Sequence, residues 1–294
     1  MEELTTRQFK EIYFRTLPEV VEQCGGGIAY RPSSPYAFED TPSDGIHGDA
    51  HYWGVWHGRD SIGHYNVEKA RFFSEYGFQS FPEFESVKIY APQERDWAIG
   101  SEVMMAHQRA GSYANNLIKE YMDQEFRTPD DFPTFLYVGS ILQGDAIKTA
   151  VEAHRRDMPH CMGTLVWQHN DCWPVASWAG RDYYGRWKAQ QYFSKAAYDD
   201  ILVSPVVIND TLSVNIVTDR RTPAKGVFTL TAMTLDGTPV MTEKFPFTAR
   251  PLTSTKVFAD KVGNLLKDHS RGDIIFHTTF TTGDRTYENV GFPT

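Results

Sequence analysis

Near residue 200 the hydrophobic pattern of this 294-residue chain changes period, and that change constrains the fold more than any other feature. Upstream, apolar residues recur at three- and four-residue spacing from Ser101 to Phe126 and from Phe132 to Asp157, which predicts helices. Downstream, in VSPVVINDTLSVNIVTDRRTPAKGVFTLTAMTLDGTPV, β-branched and polar residues alternate, and Asn-Asp, Thr-Pro and Asp-Gly pairs mark turns. The two parts therefore read as different domains. Residues 1–200 are expected to be α/β, and residues 201–294 an all-β sandwich of immunoglobulin-like size.

The upstream part opens on an amphipathic helix. Phe9, Ile12, Tyr13, Leu17, Val20 and Val21 follow the capping-type residues Thr5 and Thr6, and three glycines from Gly25 stop the pattern. Four strand-like runs come next: IAYRPSSP, HYWGVWHG, RFFSEYG and CMGTLVWQ. A further helix is expected in RWKAQQYFSKAAYDDI. Helices interleaved with strands favour a parallel sheet.

Charge narrows the partners. A formal net charge of −9 argues against nucleic acid and anionic membrane, both of which need a basic surface. No apolar run approaches the roughly 18 residues of a membrane span. The first residues lack a secretory-signal layout, so localisation stays unassigned. Cys24, Cys161 and Cys172 form no C-x-x-C pair and are expected as buried thiols. No phosphate-cradling loop is present, and no cofactor is expected. His47, Asp49, His51 and His57 invite a metal reading, but Gly48 and the strand-like aromatics around them argue against the helix that the spacing would need. The pair Ser33-Ser34 lacks the context of a nucleophilic serine.

Each strand-like run ends in a polar or aromatic cluster: Arg31, Ser33 and Ser34; Trp56 and His57; Glu75; then Trp167, His169, Asn170 and Asp171. In parallel α/β barrels the active site lies at the C-terminal ends of the strands. One carboxylate among tryptophans suits a sugar, whose apolar faces pack on aromatic rings. By residue type alone, Glu75 is equally a catalytic carboxylate or a structural one paired with Arg31 or Arg71. Trp97, Trp178 and Trp187 are expected in the core.

Taken in order, YRPSSP, WGVWHG, RFFSEYGFQSFP and MGTLVWQHNDCWPVASWA resemble the β-mannosidases in family 2 of the glycoside hydrolases. The resemblance implies the second half of a (β/α)8 TIM barrel followed by an immunoglobulin-like β-sandwich. It implies that Glu75 is the nucleophile of a retaining exo-β-mannosidase and that Trp53, His57 and Trp167 line the sugar subsite. His57 stands where a tyrosine is usual, and its imidazole is a candidate donor to the nucleophile. The family's acid/base is the Glu of an Asn-Glu pair, and no such pair occurs in this chain. The expectation is a fragment whose partners are a β-mannoside oligosaccharide or glycan and either the missing N-terminal barrel half or a second copy. On its own the chain is expected to be inactive. The alternatives are an exo-β-glucosaminidase of the same family, with Asp171 or Asp49 recognising the amine, and a non-catalytic carbohydrate-binding module.

Overall fold

The computed structural model describes residues 2–36 and 46–293. The N-terminal periodicity produces helix α1 (Glu2–Glu11), which widens through a π-helical turn at Ile12–Thr16 and continues as α2 (Leu17–Cys24). Gly26 and Gly27 then take positive φ and end it. Its apolar stripe is not buried: Phe9, Ile12, Tyr13, Leu17 and Val20 stay 36% to 48% exposed.

The parallel sheet is narrower than the sequence predicts. Strand β1 (Ala50–His51) pairs in parallel with β2 (Phe73–Glu75). On the other edge of β2, residues 162–167 bond as a third parallel segment: Phe73 N–H donates to Gly163 O (2.9 Å), Leu165 N–H to Phe73 O (2.8 Å) and Trp167 N–H to Tyr76 O (2.8 Å). The run IAYRPSSP forms no strand, because Pro32 and Pro35 have no amide hydrogen to give a ladder. HYWGVWHG leaves the sheet after His51. Gly58 N–H bonds back to Trp53 O and Asp60 N–H to Gly54 O, closing a loop in which Trp56 has φ 82° and is fully buried.

Around this arc lie α3 (Phe84–Tyr90), α4 (Glu102–Ala106), α5 (Ala114–Glu125), α6 (Phe132–Arg156) and α7 (Ala189–Ala197). The single helix expected over 101–126 is interrupted between α4 and α5, where Gly111 has φ 95°. Helix α6 starts where Asp131 caps it by accepting from Thr134 N–H. Its buried face, including Leu136, Leu142, Ile147 and Val151, meets Phe73, Tyr76, Phe78 and Tyr121 in one core. Burying each such side chain contributes roughly 1.5–3 kcal/mol.

The alternating region folds as two antiparallel sheets. One has the order β3 (Ile201–Ile208), β4 (Thr211–Thr218), β7 (Thr253–Lys261). The other has the order β6 (Pro239–Ala249), β5 (Ala224–Thr234), β8 (Ile274–Thr282), β9 (Arg285–Gly291). Leu212, Val214 and Ile216 point inward at a spacing of two and meet Phe228, Leu230, Phe276 and Phe280 in a second core. Asn209 and Asp210 form the two-residue hairpin between Ile208 and Thr211, both with positive φ, as a type I′ turn requires.

Polar groups fasten this sandwich to the end of α6. Glu152 accepts from Ser204 Oγ (2.5 Å) and Asn289 Nδ2 (2.8 Å), and Arg155 pairs with Asp219 (2.9 Å). A cleft of about 600 Å³ opens beside this junction, with Asp145, Lys148 and Arg271 among its lining residues. The cysteine expectation needs correction: Cys161 is buried, while Cys24 and Cys172 are exposed. Among the described residues no helix is long and apolar enough to cross a membrane.

Candidate active site

The parallel register decides what surrounds Glu75. His51 on β1 lies opposite Glu75 on β2, and alternation along each strand sets their side chains on a common face. The result is a close approach of His51 Nδ1 to Glu75 Oε1, at 3.5 Å. Just after β1, Trp53 swings its indole to the same oxygen and donates from Nε1 at 3.0 Å. Both contacts fall on Oε1; among the described residues Oε2 accepts no hydrogen bond. The carboxylate is about a quarter exposed, which leaves it accessible. Among those residues neither Arg31 nor Arg71 pairs with it, so the salt-bridge alternative loses its partner.

Aromatic rings wall this carboxylate. The rings of Trp53 and His57 are 4.9 Å apart, Trp178 stands edge-on to Trp53 at 5.8 Å, and Trp167 is 41% exposed at the end of the third parallel segment. Gly77 makes the crowding possible. A Cβ there would lie 2.2 Å from the Trp167 carbonyl oxygen, 3.0 Å from Trp178 Cδ1 and 3.2 Å from Trp53 Cη2.

The expected site residues thus separate. Glu75 and Trp53 are in direct contact. His57 stacks on the tryptophan wall, but its Nδ1 faces Tyr113 Oη at 3.3 Å; the imidazole that reaches Glu75 is His51. Burial holds the His57 imidazole below its ordinary range, which favours the neutral ring. Trp56, expected beside the site, is a core residue stacked on Tyr121. Trp178, assigned to the core, is buried but forms the back of the wall, and Trp187 is 40% exposed.

Residue-type reasoning missed a polar group behind His51. Ser34 Oγ lies 3.0 Å from His51 Nε2 and donates to Asp49 Oδ2 at 2.6 Å. Ser74 Oγ also donates to Asp49 Oδ2, and Tyr36 N–H donates to Oδ1. Burial raises the Asp49 pKa, but these bonds outweigh it and hold the carboxyl below its usual range. Asp49 and His51 meet at Ser34, and among the described residues no three His, Cys, Asp or Glu side chains converge as metal ligands. Asp171 is almost fully buried and accepts from Ser177 Oγ (2.9 Å) and Gln168 Nε2 (3.2 Å); burial raises its pKa against the pull of Lys188.

Comparison with known proteins relates the sequence and fold of this chain to β-mannosidases. Over 185 residues the chain is 35% identical to beta-mannosidase B of Aspergillus niger and 36% identical to beta-mannosidase B of Aspergillus fumigatus, in each case covering 62% of this chain and 22% of the relative. The crystal structure of a β-D-mannosidase from Dictyoglomus thermophilum superposes with a TM-score of 0.88 at 30% identity, over 96% of this chain and 34% of that one. The chain is homologous to the β-mannosidases. Residues 210–294 match the family described as a mannosidase Ig/CBM-like domain, which covers most of the sandwich. The chain spans about a fifth of the length of its fungal β-mannosidase relatives. The exo-chitosanase CsxA of Amycolatopsis orientalis, at 13% identity and TM-score 0.66, shares the fold.

Proposed function

We propose that this chain carries the nucleophile side of a retaining exo-β-mannosidase site, with Glu75 as nucleophile and Trp53, His57 and Trp167 against the sugar. The observation that carries this reading is the asymmetric hold on Glu75: Oε1 accepts from Trp53 Nε1 and lies 3.5 Å from His51 Nδ1, while Oε2 is left for bond formation. In the first step Oε2 bonds to the anomeric carbon as the C1–O bond breaks and its electron pair leaves on the aglycone oxygen. Water then adds at C1, gives up its proton to a base, and Glu75 departs as carboxylate.

A second carboxyl must protonate the leaving oxygen, and such a group works with a raised pKa. Asp49 is unsuited, because three donors hold it ionised. In this proposal the acid comes from outside these 294 residues, and the parallel arc is the second half of a (β/α)8 barrel. The exposed stripe of α1 and α2 supports a missing covering partner, since apolar surface of that kind normally marks an interface. Two separate apolar cores support a division into residues 1–200 and 201–294. The occupied oxygens of Asp49 and Asp171 weigh against an amine-recognising glucosaminidase.

The test uses a 2-deoxy-2-fluoro-β-mannoside with a dinitrophenolate leaving group, which departs without an acid and leaves a slowly hydrolysed ester. Intact mass and peptide mapping are expected to show one mannosyl adduct on Glu75 and none in Glu75→Gln. No adduct, or one on another residue, would overturn the assignment. An ordinary alkyl β-mannoside is expected to show negligible turnover by this chain.

A further inference from the structure

We infer that Tyr121 is a positioning residue for the aromatic wall: its buried hydroxyl holds the loop 53–60 in the shape that brings Trp53 to Glu75 and His57 to Trp53. The loop closes on itself through Gly58 N–H to Trp53 O and Asp60 N–H to Gly54 O, both at 2.9 Å. Within that closure two residues other than glycine take left-handed backbone, Trp56 at φ 82° and Arg59 at φ 62°. A side chain as bulky as tryptophan rarely adopts this region, and it stays there only where its surroundings leave no alternative. The closing bonds do not engage the Trp56 amide. Its acceptor is Tyr121 Oη, at 2.9 Å.

Tyr121 reaches the loop from α5, and its hydroxyl is used on both sides. It accepts from Trp56 N–H and donates to Asp60 O at 2.8 Å, so one oxygen ties the middle of the loop to its end. The phenol ring lies nearly parallel to the Trp56 indole, 6.3 Å away, and edge-on to Phe78 at 4.9 Å. Two further contacts reach the loop from this helix: Glu120 pairs with Arg59, and Tyr113, at the start of α5, faces His57 Nδ1 at 3.3 Å. Arg59, Glu120 and Tyr113 are about half exposed, so water screens or replaces those contacts and they contribute little. Tyr121 is only 1% exposed, and nothing else in the core can satisfy the groups it serves.

The consequence is felt at the carboxylate. With the loop held, Trp53 Nε1 donates to Glu75 Oε1 at 3.0 Å, and its ring lies 4.9 Å from His57. Removing the hydroxyl strips the buried Trp56 N–H of its acceptor and releases the left-handed turn, which carries Trp53 and His57 with it. The effect on rate rests on the nucleophile reading above; the hold on the loop does not.

Tyr121→Phe deletes the hydroxyl and keeps the ring, and proton–nitrogen spectra of the 15N-labelled chain read the loop directly. The Trp53 indole N–H, identified by its loss in Trp53→Phe, should shift upfield in Tyr121→Phe, toward the position of an unbonded indole. An unmoved resonance would overturn the inference. In the unaltered chain the Trp56 amide should resist hydrogen exchange as strongly as the amides of α6; rapid exchange would overturn the inference even if Tyr121→Phe failed to fold. The fluoromannoside then reads the positioning role well below the melting temperature. At saturating reagent the labelling rate of Glu75 should fall on the order of 10- to 100-fold in Tyr121→Phe, as a small displacement of a positioning group predicts. Asn215→Ala, which removes a bond to Ser254 inside the sandwich, should label at the original rate. Equal rates in Tyr121→Phe and the unaltered chain would remove the positioning role. Failure to label Glu75 in the unaltered chain would count against the nucleophile reading, and the indole and exchange results would still decide whether Tyr121 holds the loop.

Discussion

Gly77→Ala adds one methyl group where the two parallel segments and three tryptophans meet. The new carbon would start 2.2 Å from the Trp167 carbonyl oxygen, a separation real side chains essentially never show. That obstacle is backbone, so no rotamer change relieves it; the strands themselves must part by about 1 Å in an interior packed as densely as a crystal. The same displacement pulls on the 2.8 Å bond from Trp167 N–H to Tyr76 O. Overpacking of this kind costs about 1–3 kcal/mol, and a backbone obstacle puts the expectation near the upper end. With a urea dependence of about 1–3 kcal/mol per molar, the unfolding midpoint should fall by roughly 1 M. Tryptophan fluorescence during urea unfolding measures the midpoint, and the fluoromannoside measures the site, where a shift of about 1 Å costs on the order of 100-fold in rate. A variant with the original midpoint and labelling rate would refute the claim that Gly77 sets the spacing of this wall.

Burial drives the His154 pKa down to about 3, so the folded state holds the ring neutral. Between the ordinary value of 6.5 and about 3 the unfolded chain binds the extra proton, and stability is lost as pH falls through that window by up to about 1.4 kcal/mol per unit. Comparing the pH dependence of urea midpoints for the unaltered chain and His154→Gln isolates this share, which the variant should lack. Glu152→Ala leaves Arg156 and the polar groups of Ser204 and Asn289 without their buried acceptor, and should destabilise the junction by about 3–5 kcal/mol. Calorimetry is expected to show the sandwich and the α/β part melting apart in that variant; one unshifted transition would contradict it.

Legibility in the sequence followed the range of the interaction. Leu212, Val214 and Ile216 announce a strand because alternate side chains share a face whatever the neighbour is, and Asn209-Asp210 announces a turn because those residues tolerate positive φ. Helix α6 was readable for the same reason over seven turns of periodic apolar residues. IAYRPSSP and HYWGVWHG misled because β-branched and aromatic content describes a half-buried surface, while strand formation depends on a partner with free donors and acceptors.

For the site, residue order alone determined that an acidic residue ends a strand among aromatics, and the order of four motifs related it to β-mannosidases. It left Glu75 between ion pair and nucleophile, and it offered His57 as the neighbouring imidazole. Only the tertiary structure decided that His51 takes that place, that Ser34 and Asp49 stand behind it, and that Trp178 closes the wall. These contacts cross between strands, so they depend on parallel register. A slip of one residue would turn His51 to the opposite face of the sheet, and no local preference within either strand encodes that choice.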